Sequence, residues 1–128
     1  HQGYSLGVAA ALAVQKIVQT DQTLAHVNTI GNYFQRKLTE GLSKHPFVRD
    51  IRGRGLMGSL EYNCSNNPVF GNEIFESLRD EFNILVSSKW HRISLSHPYI
   101  ITKTQANKVV EAVIEVFKLK SEKYDTAP

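Results

Sequence analysis

A chain of 128 residues has the length of one domain, since domains commonly hold about 100–150 residues. Its 41% hydrophobic and 21% charged residues exclude a disordered tail and point to a packed core. The net charge of +3 is mild for a nucleic-acid domain, the single Cys64 excludes an internal disulfide or a cysteine-rich zinc site, and no apolar run approaches the roughly 20 residues that span a bilayer. The chain opens on His1 rather than Met, as a cut, processed or partial chain would. Leu6 to Val14 is as apolar as a signal-peptide core. No basic cluster precedes it, however, and the pattern runs on through Lys16, Ile17 and Val18, so it reads as a helix instead.

Ser5 caps that helix, which runs to about Gln19 with Ala9, Ala10, Ala13 and Ile17 on one stripe; such small residues suit close packing under another element. A break over Thr20–Thr23 precedes a second helix to about Leu42, with Leu24, Val27, Ile30, Phe34, Leu38 and Leu42 at spacings of three and four. Pro46 ends it, and period two follows. Phe47 to Arg52 is a strand, Gly53-Arg54-Gly55 a tight turn or bulge, and Leu56 to Tyr62 a second strand. In the latter, Leu56, Gly58, Leu60 and Tyr62 share one face, with Met57, Ser59 and Glu61 on the other. Asn63 to Pro68 is loop chemistry. A third helix spans Phe70 to Phe82; strands follow at Ile84 to Ser87 and Arg92 to Ser96, joined by a short polar connection. Thr102 to Gln105 is a capping box for a last helix, whose inner face is Ala106, Val109, Val110, Val113 and Phe117.

This order predicts an α+β fold: a small, few-stranded, largely antiparallel sheet with helices packed on one face. Residues 1–128 form a single domain without repeats, and 121–128 read as a frayed polar tail.

Self-contained chemistry is absent from the pattern. No two of His1, His26, His45, His91 and His97 stand three or four residues apart, so no helical pair grips a metal. His91 and His97 bracket one strand, where surface histidines are the ordinary case. No Gly-x-Ser-x-Gly elbow occurs, Cys64 has no basic cluster beside it, and Arg52-Gly53-Arg54-Gly55 reads as a turn rather than an RNA-binding element.

The order of three motifs is informative. Gly3-Tyr4-Ser5-Leu6 enters the alanine-rich helix, Arg52-Gly53-Arg54-Gly55-Leu56-Met57 leads to Glu61, and Leu95-Ser96-His97-Pro98-Tyr99-Ile100-Ile101-Thr102 enters the last helix. Together they resemble the C-terminal small domain of class III pyridoxal-phosphate aminotransferases of fold type I, over nearly the whole chain. The resemblance implies transfer of an amino group from an amine or amino acid to a keto acid or aldehyde. It also implies pyridoxal 5′-phosphate held by a lysine of a preceding large domain, and a homodimer. None of the nine lysines, Lys16 to Lys123, lies in the family's lysine context. The chain by itself is therefore expected to hold no cofactor and to have no transaminase activity, and no catalytic residue is assigned within it.

The resemblance also places a phosphate-contacting threonine just ahead of His1, so that His1, Gln2 and Gly3 would edge the partner subunit's cofactor pocket. The family's carboxylate-binding arginine falls at Ser94, a departure from its pattern. Arg92, two residues earlier and on the same strand face, offers a displaced guanidinium fork for a substrate carboxylate; otherwise it caps the loop after Trp90. Two other readings are a non-catalytic dimerisation module and a small basic RNA-binding domain; the latter wants aromatics on the sheet, where only Tyr62 appears. The expected partners are the chain's own large domain, a second subunit and a small amine or keto acid, with neither nucleic acid nor membrane. Exposed apolar surface is expected on the first helix and at Ile84 to Val86, with self-association of the lone chain. The expected location is the cytoplasm or the mitochondrial matrix.

Overall fold

The computed structural model describes residues 3–20, 22–63 and 69–124. In chain order it forms α1 (Ser5–Thr20), α2 (Thr23–Leu42), β1 (Val48–Arg54), β2 (Met57–Tyr62), α3 (Phe70–Asp80), β3 (Ser87–Lys89), β4 (Arg92–Ser96) and α4 (Lys103–Tyr124). The strands make one antiparallel sheet in the order β1-β2-β4-β3. The helices α2, α3 and α4 cover one face of it, as the sequence pattern predicts.

Period two sorts the side chains. Gly58, Leu60 and Tyr62 of β2 and Ile93 and Leu95 of β4 are buried. They meet Phe34 and Leu38 of α2, Ile74 and Leu78 of α3, and Val110, Val113 and Phe117 of α4 in one core. Burial of each large side chain here stabilises the fold by about 1.5–3 kcal/mol. Gly31 lets α2 lie on the β1–β2 turn, because a Cβ at that position would overlap the Gly55 backbone. The capping box forms as written: the Thr102 N–H donates to Gln105 Oε1 at 2.9 Å, and the Gln105 N–H to Thr102 Oγ1 at 3.2 Å.

Several boundaries differ from the sequence reading. β1 runs on through Arg54, and Gly55, at φ +54°, turns the chain with Leu56; the irregularity lies near Arg49 instead. α3 stops at Asp80 and Asn83 takes a left-handed φ of +56°, so that the Ile84 N–H returns to the otherwise orphaned Leu78 carbonyl at 2.8 Å. Ile84 and Val86 lean on the core outside any strand; the strand is Ser87–Lys89, of which the sequence pattern assigns Ser87 to a strand end and Ser88 and Lys89 to the connection. Ser121–Tyr124 are not a frayed tail: α4 continues through them, with Ser121 buried and the Tyr124 hydroxyl donating to Glu73 at 2.6 Å. Residues 125–128 lie outside the described residues.

α1 meets the chain chiefly along α2. Its alanines do not lie under another element here. Leu6, Val8, Leu12, Val14 and Ile17 are all exposed, as a surface awaiting cover would be. Among the described residues, no helix is long and apolar enough to cross a membrane.

Candidate functional site

The uncovered sheet face gathers the polar partners of the core residues. Register puts Arg52, Ser59, Ser94 and Ser87 in one row across the four strands, and Asp50, Glu61, Arg92 and Lys89 in the next. Arg54 and Ser96 flank Met57 in a third. Two adjoining clefts result. One, of about 580 Å³, is lined by Arg52, Arg54, Ser59, Arg92, Ser94 and Ser96 among others. The second, of about 360 Å³, lies between Arg52, Glu61, Lys89, Trp90, His91 and Arg92. Arg92 walls both.

The three guanidiniums differ in their engagement. Arg52 donates to Asp50 and, at 3.0 Å, to Glu61; these hydrogen bonds, Asp50's first, raise its pKa further above the ordinary arginine value. The side chains of Arg92 and Arg54 have no hydrogen bond or ion pair among the described residues. Arg92 therefore does not cap the loop after Trp90. Arg92 and Ser94 lie two residues apart on one strand face and both line the larger cleft. Ser59 Oγ, between Arg52 and Ser94 in register, is buried without a hydrogen-bond partner. Two guanidiniums without partners among the described residues, those of Arg92 and Arg54, beside one unsatisfied hydroxyl suit an anion with planar oxygens.

Of the other candidate residues, Gly3 takes φ +79° and is exposed, while His1 and Gln2 lie outside the described residues, as does Cys64. His91 and His97 do not converge, standing at opposite ends of β4. His97 is no surface histidine: it packs edge-on against Phe34 at 4.5 Å, and burial holds its pKa below the usual imidazole value. Tyr62, the one strand aromatic, points into the core, so the open face offers no stacking platform from its strands. The sequence reading missed Arg54, Ser59, Lys89 and Trp90 as lining residues. A two-residue turn at Gly55-Leu56 would have revealed Arg54 and Ser59, by setting the β1–β2 register.

An amine transaminase from an uncultivated Pseudomonas species, solved with pyridoxal phosphate bound, superposes with a TM-score of 0.77 at 26% identity, over 87% of this chain and 27% of that one. The fold is thus that of a transaminase domain. The class-III aminotransferase pattern matches residues 1–117, and the chain belongs to that family. An uncharacterised aminotransferase of Schizosaccharomyces pombe is 30% identical over 88% of this chain. Ornithine aminotransferase 1 of Staphylococcus aureus is 29% identical over 91%. The chain spans about 28% of the length of each of these two relatives.

The family depends on pyridoxal phosphate, yet the residues present do not fit that group by themselves. Forming a Schiff base needs a neutral, desolvated lysine. Each of the nine lysines is exposed or only half-buried, and Lys123 is pushed up rather than down, first by its hydrogen bond to Glu73.

Proposed function

We propose that this chain is the C-terminal small domain of a pyridoxal-phosphate-dependent class III aminotransferase, moving an amino group between an amine or amino acid and a keto acid or aldehyde. The match of residues 1–117 to the family carries this reading. The reactive lysine and the bulk of the cofactor site belong to a large domain outside this chain, with His1, Gln2 and Gly3 at the edge of a second subunit's pocket. The exposed apolar row of α1 supports burial against that large domain or the second subunit. A cytoplasmic or mitochondrial-matrix setting goes with the reading.

Within the chain, the open sheet face does the substrate binding. The unpaired Arg92 fork takes the substrate carboxylate and the Ser94 hydroxyl donates beside it, fixing one end of the substrate relative to the reacting carbon. In the parent polypeptide, Arg92→Gln should lower kcat/KM for a carboxylate-bearing donor about 10- to 100-fold. A carboxylate-free amine should be nearly unaffected. Equal losses with both donors, or none with either, would remove Arg92 from this role. A coding sequence upstream of His1 that lacks a lysine-bearing large domain would defeat the wider reading.

A further inference from the structure

The β3–β4 hairpin turns through Trp90 and His91, and Trp90 sits at φ +58°. A bulky L-residue enters that region only under strain, whereas glycine occupies it freely. Buried structure holds it there. The Tyr62 hydroxyl donates to the Trp90 carbonyl at 3.1 Å, and the Tyr62 N–H donates to the His91 carbonyl at 2.9 Å. The Ser88 hydroxyl ties β3 to the Gly71 carbonyl of α3 at 3.3 Å. The result is an indole 84% exposed to water. Neither the strain nor the wet indole helps the fold, so the arrangement points to contact with something outside the chain.

That indole walls the smaller cleft, where the cations of Arg52, Lys89 and Arg92 face the one carboxylate of Glu61. Glu61 is already bound by Arg52, and Lys89 Nζ lies 5.6 Å from the indole centroid. An ammonium ligand would be repelled by Lys89 and Arg92, and the attraction of the indole for a cation is taken up by Lys89. An anion with a flat apolar body meets both walls. We propose that the Trp90 cleft selects aromatic carboxylates, with the carboxylate on Arg92 and the ring against Trp90. This rests on the reading of Arg92 as the carboxylate contact and adds the class of group that the carboxylate carries.

Trp90 is the sole tryptophan of the chain, so indole fluorescence of the 128-residue chain reports this position alone. Benzoate should change it saturably at concentrations about tenfold below those needed for acetate, a difference of about 1.4 kcal/mol. Benzyl alcohol should leave it unchanged. By ligand-observed NMR, Trp90→Phe should keep benzoate binding, while Trp90→Leu and Trp90→Gly lose most of it. Trp90→Gly should nonetheless raise Tm, because glycine accepts the turn; a purely structural tryptophan would not separate the two effects. Benzoate binding that survives Trp90→Gly and Trp90→Leu overturns the inference and leaves Arg92 in place. Binding indifferent to Arg92→Gln overturns the carboxylate contact itself. A response to benzyl alcohol matching that to benzoate, or no saturable response to benzoate, overturns the assignment.

Discussion

On the same five residues of β4, Ile93 and Leu95 look into the helices and are buried, whereas Arg92, Ser94 and Ser96 look out. One backbone thus carries two surfaces with different physics. The covered face is a dispersion-packed interior that α2, α3 and α4 fill; the open face ties Arg52 to Asp50 and Glu61 and leaves the Arg92 and Arg54 guanidiniums and the Ser59 hydroxyl without partners among the described residues. Stability resides on the first face and the proposed ligand chemistry on the second, and substitutions should separate them.

The largest effect should come from Phe34→Ala, which empties the centre of the covered face and costs about 3–5 kcal/mol by denaturant unfolding. A loss no greater than that of a surface change would mean that the two faces do not differ in this way. The next concerns the rim of the core, where burial tends to raise the pKa of Glu73 but hydrogen bonds from Lys123 and Tyr124 outweigh it and hold the carboxyl below its usual value. A carboxyl depressed in the fold stabilises fully above its unfolded pKa of about 4.3. That contribution is lost as pH falls through the lower folded value. Glu73→Gln should therefore cost about 0.5–1.5 kcal/mol at pH 7 and flatten the acid limb of a stability–pH curve; an unchanged limb would refute the pairing.

The smallest effect tests the seam between the faces. His97 is kept neutral by burial, so the unfolded chain takes up its proton first, near pH 6.5. Stability should fall as pH drops below about 6.5, until the depressed folded pKa is reached. His97→Leu should remove that slope while changing stability at pH 7 by less than about 1 kcal/mol, since Nε2 has no partner to lose. A slope that persists in His97→Leu would assign it to another group.

The covered face was legible in the sequence because burial imposes a period: Ile30, Phe34, Leu38 and Leu42 announce α2, and Leu60 with Tyr62 announce β2. The Arg92–Ser94 pair could be named from strand alternation and family resemblance together. What could not be read has no period. Ser87–Lys89 is a strand because it pairs with β4 and not because of its polar side chains. Asn83 turns the chain after α3 through a backbone angle, and Trp90 looks like a loop residue until its φ and its bond to Tyr62 are seen. The open-face lining depends on register, which a one-residue shift at Gly55 inverts.

Tyr62 joins the two surfaces through a single phenol. Its ring meets Phe70 and Phe117 edge to face, at 5.5 and 6.0 Å between centroids, while its oxygen holds the hairpin tip. Any repacking of that aromatic trio, by engineering or by natural drift, will be transmitted to the angle at which the indole is displayed. Selectivity at the rim therefore inherits the tolerances of the interior, and an attempt to evolve one without the other must leave this residue alone.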